Sequence, residues 1–237
     1  MKISIIIPAY NEAKYIGRCL ASIIENRDES LHEIIVVDNA STDDTAAVAA
    51  RFSGVRVVYE SKKGVTRARE AGFTASSGDI IAYLDADTRM PKGWLVRVVQ
   101  EFSSDTQLVG LSGPYRFYDV TALSRLVAAL YWFCLALPGY FFLGYMVVGG
   151  NFAARRSALE GIGGFDKNIP FYGDDTDIAR RLSKVGKVKF KISFIMYTSG
   201  RRLKEQGFLK TGFLYIGNFF SEVLFHRPVS KEYKDFR

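Results

Sequence analysis

The sequence predicts an α/β fold with a Rossmann-like, mostly parallel sheet flanked by helices. Four short apolar runs rich in β-forming residues are typical of buried parallel strands, and they occupy residues 3–7, 33–37, 55–59 and 80–84. Segments with apolar residues at helical spacing separate these runs, as in a doubly wound sheet. Conspicuous polar residues follow the runs directly, and such sheets bind ligands at the carboxyl ends of their strands. The fold class therefore also predicts where a site lies.

The strongest candidate for a site follows the fourth run, which leads into Asp85-Ala86-Asp87. Carboxylates are seldom buried without a partner, so two of them at a strand end require a compensating cation. A hard divalent ion with oxygen ligands, usually completed by phosphates, has the required chemistry. The alternative is a polar turn ahead of a helix predicted over residues 91–102.

Polar loops also follow the first two runs, at residues 8–12 and 38–44, and a further helix is predicted over residues 64–73. The first loop has no Gly-x-Gly-x-x-Gly motif, and the sequence has no phosphate-binding Walker loop. These absences argue against a dinucleotide dehydrogenase and against a P-loop ATPase.

A second acidic motif, Asp-Asp-Thr-Asp, occupies residues 174–177 and precedes apolar residues at helical spacing. Three carboxylates in four residues raise one another's pKa values, and a carboxylate held near neutrality suits a general base. Alternatively, these acids occupy the start of a helix because its dipole stabilises them there. Upstream, the Gly-Gly-Asn at residues 149–151 either lets the backbone approach a ligand closely or forms a tight turn.

Residues 126–148 form an uncharged stretch of 23 residues, which is long enough for a membrane span. A span would place the strands before it and the acidic motif after it on opposite sides of a bilayer, although both belong to one predicted site. Pro138-Gly139 also interrupts the stretch in the middle. We therefore expect two short apolar helices that lie in a membrane interface or cover the sheet, with a true span as the third alternative.

The positive charge of the chain is concentrated toward its C-terminus. Residues 178–237 contain 14 Lys and Arg against 4 Asp and Glu, whereas the whole chain has a net charge of +7. A basic segment of this kind predicts an anionic partner: nucleic acid, anionic lipid or phosphate. Apolar residues at helical spacing within residues 201–237 favour membrane or protein contact over nucleic acid.

The cysteines and the N-terminus bear on location. Cys19 and Cys134 follow no metal or redox spacing, so we expect two buried thiols in a reducing compartment. Only five residues, four of them isoleucines, separate Lys2 from Pro8, and this apolar run is too short for a signal peptide. The sequence therefore predicts a cytoplasmic protein, in peripheral contact with the inner face of the membrane if its apolar segments bind lipid.

Taken together, these motifs resemble those of the family 2 glycosyltransferases, which have the GT-A fold. The resemblance covers roughly residues 2–205, and six stretches match in the order typical of the family. The matching stretches are residues 5–12, 36–43, 63–64 with 68–69, 84–87, 149–151 and 173–175. The resemblance implies transfer of a sugar from a nucleotide diphosphate donor to an acceptor hydroxyl or phosphate, with Mg²⁺ or Mn²⁺ as cofactor.

The resemblance also implies roles for residues on the donor side. Pro8, Tyr10 and Glu12 would line the nucleotide pocket. Asp38 would accept a hydrogen bond from the base, uracil in a UDP-linked donor, and Arg69 would lie beside the nucleotide.

A further set of roles concerns the metal and the chemistry. Asp85 would face the ribose and the metal, and Asp87 would ligate the ion that bridges the diphosphate. Asn151 would lie near the donor sugar or the acceptor. Asp175 would be the base that deprotonates the acceptor, with Asp174 supporting it.

Four features depart from the family pattern or add to it. Glu70 stands where an Asn commonly follows the Arg, and Asp174 replaces a more usual Glu. The Gln-x-x-Arg-Trp signature of processive synthases is absent, so we expect addition of a single sugar. Arg201 and Arg202 would grip the diphosphate, because arginine matches phosphate oxygens well.

The resulting prediction is an inverting glycosyltransferase. Residues 1–200 would form the GT-A domain, with a nucleotide-binding half over 1–113 and an acceptor half over 114–200. Residues 201–237 would form a basic amphipathic segment. The acceptor would be a saccharide or lipid-linked, and homodimerisation is left open. Two alternatives remain: a catalytically silent membrane scaffold, and a sugar nucleotidyltransferase, which normally has a basic loop after its first strand.

Overall fold

Ten strands and nine helices make up the part of the chain that the computed structural model describes, residues 1–169 and 173–206. Strands β1 to β10 are, in chain order, Ile3–Ala9, Leu31–Asp38, Val55–Tyr59, Ile80–Leu84, Thr88–Arg89, Leu108–Ser112, Tyr115–Phe117, Asn151–Arg155, Lys187–Phe190 and Met196–Thr198. Helices α1 to α9 are Ile16–Glu25, Thr45–Ala50, Val65–Ala75, Trp94–Ser104, Ala122–Tyr131, Leu137–Leu143, Arg156–Gly161, Asp174–Ser183 and Arg201–Gln206.

The main sheet has seven strands in the order β3-β2-β1-β4-β8-β6-β9. Strand β1 pairs in parallel with β2 and β4, whereas β8 runs antiparallel between β4 and β6. A second sheet of three short strands has the order β5-β10-β7. The predicted α/β class with a mostly parallel sheet is therefore confirmed.

The core lies on both faces of the main sheet, and the alternation of side chains along β1 divides it. Ile3, Ile5 and Ile7 join the cluster that contains apolar residues of α1 and α4. Ile6 points to the opposite face and joins a cluster with α3 and α8. Both faces are covered, so the strand reads as a continuous apolar run and not as an alternating one.

Most of the uncharged stretch, residues 126–143, lies in one continuous helix, Ala122–Leu143, which we call the apolar helix. The prediction of two short helices is therefore wrong. A π-helical turn over Trp132–Ala136 joins α5 to α6 just ahead of Pro138. Proline lacks an N–H and clashes with the carbonyl four residues earlier, and a wider turn at that point relieves both conflicts.

Within the described part of the chain, the apolar helix contacts the sheet through aromatic rings. The rings of Trp132 and Tyr140 lie 5.6 and 6.0 Å from the ring of Phe190 on the edge strand β9. Only 11% of the residues in its most apolar part are buried. The prediction of two buried thiols is therefore wrong for Cys134 of this helix, which is exposed, and confirmed for Cys19. The alternative in which this segment covers the sheet is therefore wrong. The helix has the length and composition of a membrane span, so the interfacial and spanning alternatives both remain.

The predicted basic segment over residues 201–237 is described only in part. Residues 201–206 form α9, and the remainder lies outside the described residues.

We expect the substitution Gly72→Ala to destabilise the protein by about 1–3 kcal/mol through overpacking of α3 against β1. A Cβ atom at this position would lie 2.3 Å from Ile6 Cγ2 and 3.0 Å from Val37 Cγ2. Thermal unfolding measures the effect as a fall in Tm of several degrees. In the control Gly17→Ala the new Cβ would lie 3.6 Å from Val48 Cγ1, so Tm should stay the same or rise. Equal Tm values for the two variants would contradict this packing argument.

Candidate functional site

Polar residues from distant parts of the chain meet at one edge of the main sheet. Asp85 and Asp87 follow β4, whose last residue, Leu84, pairs with Asn151 at the start of the antiparallel strand β8. This pairing brings the Gly-Gly pair before β8 beside the acidic segment after β4. The same edge receives the first turn of α8, which begins at Asp174.

Arg69 of α3 holds three carboxylates together at this edge. Its side chain is 5% exposed, and Nη1 pairs with Asp174 and lies 3.2 Å from Asp175 Oδ1. Its Nη2 lies 3.7 Å from Asp85 Oδ1. Burial alone would lower the pKa of Arg69, but the charges of the carboxylates, Asp174 first, outweigh burial and raise it. Arg69 is therefore a fixed cation at the centre of an acidic cluster.

The glycines before β8 make room for this cluster. A Cβ at Gly149 would lie 2.2 Å from both Arg69 Nη2 and Asp175 Oδ1, and a Cβ at Gly150 would lie 2.3 Å from Asp85 Oδ2. The Gly149 N–H also donates a hydrogen bond to Asp175 Oδ2 at 3.0 Å. Sequence reasoning expected the backbone here to approach a ligand closely or to form a tight turn. The groups that it approaches in this structure are the side chains of Arg69, Asp175 and Asp85.

Tyr115 is a member of the site that the sequence did not indicate. Its hydroxyl donates a hydrogen bond to Asp85 Oδ2 at 2.6 Å. Burial raises the pKa of Tyr115 well above its ordinary value, and the charge of Asp85 raises it further. The phenol therefore keeps its proton and fixes one oxygen of Asp85. A single tyrosine at the start of the short strand β7 carries no sequence signal for this role.

Asp174 and Asp175 differ in how far they are open to solvent. Loss of contact with water within the cleft raises the pKa of both carboxyl groups, and Arg69 opposes the rise. The Asp175 side chain is 38% exposed, whereas that of Asp174 is 9% exposed. Asp175 is therefore the accessible member of the pair. Asp177 does not join this cluster, because its carboxylate pairs with Arg180 and Arg181.

Asp87 is held on the other side of the site by the C-terminal part of the described chain. Its Oδ2 lies 3.2 Å from Arg201 Nε, and its Oδ1 accepts a hydrogen bond from Thr198 Oγ1 at 3.3 Å. Burial raises the pKa of Asp87 to about 7; Arg201 opposes the rise and Asp85 adds to it. A second cation at this carboxylate would keep it ionised at neutral pH.

Arg201 is shared between Asp87 and Glu12. Its Nη1 donates to Glu12 Oε2 at 2.8 Å, Nη2 donates to Glu12 Oε1, and the guanidinium lies 4.6 Å from the ring centre of Tyr15. The charge of the following residue, Arg202, also reaches Asp87. The structure thus brings Arg201 and Arg202 close to the candidate metal ligand Asp87, and Glu12 forms an ion pair with Arg201.

The remaining donor-side residues lie at the ends of β1 and β2. Pro8 pairs in register with Val37, one residue before Asp38. Asp38 is buried, and its Oδ1 accepts a hydrogen bond from the Ser41 N–H at 3.3 Å. The ammonium of Lys63 contacts the hydroxyl of Tyr10 and lies 4.2 Å from its ring centre. These residues line the same edge of the sheet as the acidic cluster.

Asn151 is fully buried at the start of β8. Its Oδ1 accepts a hydrogen bond from Trp94 Nε1 at 3.0 Å, and its Nδ2 donates to the Phe194 carbonyl at 2.7 Å. The amide therefore fixes the backbone that follows the two glycines. A direct contact with donor sugar or acceptor stays a prediction.

The charges of the site fit a divalent cation. The five carboxylates of the site are those of Glu12, Asp85, Asp87, Asp174 and Asp175. They face the guanidinium groups of Arg69, Arg201 and Arg202, which leaves an excess of negative charge. Among the described residues no three acidic, His or Cys side chains are arranged to hold an ion by themselves. An ion here would thus use phosphate oxygens as further ligands, as Mg²⁺ commonly does.

Comparison with known proteins shows where this chain belongs. The family model described as glycosyl transferase family 2 matches residues 4–163. An uncharacterized glycosyltransferase of Mycobacterium bovis is 29% identical over 233 residues, which are 93% of this chain and 97% of the relative. Other curated relatives are longer, and the chain spans 38% and 47% of the length of two of them.

Two solved structures share the fold. The mannosyltransferase PcManGT from Pyrobaculum calidifontis, in complex with GDP-Man and Mn²⁺, superposes with a TM-score of 0.73 at 21% identity, over 94% of this chain and 64% of that chain. Glucosyl-3-phosphoglycerate synthase from Mycobacterium tuberculosis, in complex with Mn²⁺, UDP and phosphoglyceric acid, gives 0.65 at 26% identity, over 94% and 77%. The family match and this shared architecture show that the chain belongs to glycosyl transferase family 2 and has the GT-A fold.

Proposed function

We propose that this chain is an inverting glycosyltransferase that moves one sugar from a nucleotide diphosphate donor to an acceptor. The observation that carries the proposal is an accessible carboxylate, Asp175, held by Arg69 in the same cleft as Asp85 and Asp87. The acceptor oxygen attacks the anomeric carbon as the bond to the diphosphate breaks on the opposite side. The acceptor proton passes to Asp175, and the nucleoside diphosphate departs with the electron pair of the broken bond.

Asp175 is better suited to act as the base than Asp174. It is more exposed, and the Gly149 N–H and Arg69 each bind one of its two oxygens, which fixes its orientation. Its pKa is raised toward neutral pH, which makes the carboxylate a stronger base. Asp174 is buried against Arg69, and we assign it the supporting role of fixing that guanidinium.

Asp87 and Asp85 are the residues that would hold Mg²⁺ or Mn²⁺. The bound ion would act as a Lewis acid that neutralises charge on the leaving diphosphate. The negative charge of the cleft supports this assignment, as do the Mn²⁺ ions of the two related structures.

The donor would lie along the ends of β1 and β2. We assign Pro8 and Tyr10 to the nucleotide pocket and Asp38 to a base N–H, as in a UDP-linked donor. Arg201 and Arg202 would face the diphosphate, because Arg201 already lies at the candidate metal ligand Asp87. The related structures contain GDP-Man and UDP, so the family does not determine the base.

We propose a lipid-linked acceptor, presented at the inner face of a membrane with which the chain is in peripheral contact. The apolar helix supports this because large side chains on it are open to solvent, among them Phe141 and Phe142 at 77% and 89% exposure. A basic residue, Lys187, also lies near Tyr140 of this helix, where it pairs with Asp105. Contact with a second subunit is the alternative that the membrane experiment below tests.

In the metal-free protein, Asp87→Asn should raise Tm at pH 8. The pKa of Asp87 is about 7 in the folded protein against an ordinary 3.8, so the folded state binds this proton more tightly than the unfolded state. The contribution of this proton to the stability of the fold is therefore fully present below pH 3.8 and is lost as the pH rises through 7. Asparagine cannot ionise, so the variant avoids this loss. Thermal unfolding in chelator should show a gain of several degrees at pH 8 that shrinks toward pH 5.

The control for this experiment is Asp105→Asn. The pKa of Asp105 is lowered, chiefly by its hydrogen bond to Lys187, so this variant should show no stabilisation at pH 8. A lower Tm for Asp87→Asn than for the wild type at pH 8 in chelator would contradict the argument.

We expect Asp175→Asn to lose at least a hundredfold in kcat while it keeps donor binding, because the amide accepts no proton but still bonds to Gly149. Released nucleoside diphosphate measures turnover with polyprenyl phosphate and saccharide acceptors. The rise in Tm with UDP- or GDP-sugars plus Mn²⁺ measures donor binding. Asp177→Asn on the same helix should stay within a few-fold of wild-type activity. Full activity of Asp175→Asn would remove the base assignment, and no Tm shift with any donor would favour a silent scaffold.

The double substitution Phe141→Ser/Phe142→Ser should weaken binding to anionic phospholipid vesicles more than tenfold, because insertion of each phenyl ring contributes about 1.5–3 kcal/mol. Vesicle co-sedimentation measures the affinity. Tyr59→Ser/Val96→Ser, which changes exposed apolar residues elsewhere, should leave it unchanged. Unchanged vesicle binding by the Phe variant, with a smaller particle in solution, would instead identify this face as a subunit interface.

A further inference from the structure

Asp119, which is so far without a role, links the start of the apolar helix to the segment that carries Arg201. Its Oδ2 accepts a hydrogen bond from Ser199 Oγ at 2.8 Å, and its Oδ1 accepts one from the Gly200 N–H at 2.6 Å. Lys204 Nζ lies 3.3 Å from Oδ2. Both oxygens of one carboxylate are therefore engaged by residues 199–204.

The contacts of Asp119 determine where α9 begins. The Arg201 N–H donates to Ser199 Oγ at 3.2 Å, so the hydroxyl that bonds to Asp119 also caps the first residue of this helix. A Cβ at Gly200 would lie 2.1 Å from Val120 Cγ1, so the two segments are in direct contact. Asp119 thus fixes the backbone from which the Arg201 side chain extends.

The residue before Asp119, Tyr118, contacts the backbone of the candidate metal ligand Asp87. The Tyr118 N–H donates to the Thr198 carbonyl at 3.1 Å, and its hydroxyl donates to the Asp87 carbonyl at 3.2 Å. Thr121, two residues after Asp119, is the N-cap of the apolar helix, with its side chain accepting from Ser124 N. A short stretch of chain thereby joins the first turn of the apolar helix to both sides of Asp87.

We propose that Asp119 is a positioning residue that holds Arg201 against Asp87 and Glu12. Placed there, Arg201 balances the two carboxylates in the ligand-free protein and faces the diphosphate when the donor binds. The inference rests on the proposed function, which assigns Asp87 and Arg201 to the donor site. It adds the residue that places Arg201 and connects that placement to the apolar helix.

This role has a consequence that general loss of stability does not share. Arg201 competes with a metal ion for the charge of Asp87, because each cation reduces the attraction for the other. The same guanidinium adds to the attraction for a diphosphate. Release of Arg201 should therefore strengthen the binding of Mn²⁺ alone and weaken the binding of a nucleoside diphosphate. A merely destabilised protein would bind both ligands less well.

Titrations on the intact chain test the proposal with Asp119→Ala. Electron paramagnetic resonance of free Mn²⁺ measures binding of the metal alone, and calorimetry measures binding of UDP and of GDP at saturating Mn²⁺. We expect Mn²⁺ alone to bind about 3–10-fold more tightly and the better nucleotide to bind about tenfold more weakly. Arg201→Ala should shift both affinities in the same directions. Asp119→Asn keeps an acceptor for the Gly200 N–H and should give intermediate shifts.

The matched control is Asp105→Ala. Asp105 is also a partly buried aspartate, 28% exposed against 29% for Asp119, with a lysine partner and a backbone N–H donor. This variant should leave both affinities unchanged.

The binding results distinguish failure of the positioning role from failure of the proposed function. If wild-type protein binds both ligands but Asp119→Ala weakens both, or changes neither, the positioning role is overturned and the donor site stands. If the wild type binds neither Mn²⁺ nor either nucleotide, the proposed donor site fails and the inference fails with it. Should Asp119→Ala not fold, the signs of the two shifts in Asp119→Asn decide in the same way.

Discussion

The buried guanidinium of Arg69 is the interaction on which the rest of the site depends. Three carboxylates lie within its reach, and burial removes part of their hydration. Without a cation between them, their mutual repulsion and this lost hydration would not be offset. The fold supplies this cation from α3, which lies close to β1 because Gly72 has no side chain. Gly149 leaves space on the opposite side of the guanidinium. Two small residues far apart in sequence therefore make a single charged contact possible.

A second arginine repeats this arrangement at the other side of the cleft. Asp85 lies beside Arg69 and Asp87 lies beside Arg201, although only one residue separates the two aspartates. Neither arginine fully offsets the burial of the carboxylates that it contacts. The pKa values of Asp174 and Asp175 are raised beside Arg69, and that of Asp87 is about 7 beside Arg201, in each case chiefly through burial. Carboxylates that are costly to ionise therefore lie on both sides of the cleft, which is typical of sites that sacrifice stability for function.

The sequence predicted the elements and the edge of the sheet well, because buried parallel strands leave continuous apolar runs and polar residues follow their ends. It did not predict which side chains touch. Tyr115 begins the short strand β7 and Asp119 lies in the bend after that strand, and only the tertiary structure brings them to Asp85 and Gly200. The prediction of a helix break at Pro138 was wrong for a different reason. The helix continues through a π-helical turn, and such a turn has no periodic signature in the sequence.

The position of the apolar helix in the chain connects these observations. Asp119 precedes it and anchors the segment with Arg201, and Gly149 follows it and bonds to Asp175. The helix therefore connects two segments, each of which contacts one side of the cleft. A membrane that accepts the exposed face of this helix would bring its lipids near the candidate base, because short connections limit the distance between them. This geometry favours the proposed acceptor in the membrane over one that diffuses freely, since the surface that we propose to bind lipid is linked to the proposed base through the hydrogen bond of Gly149 to Asp175.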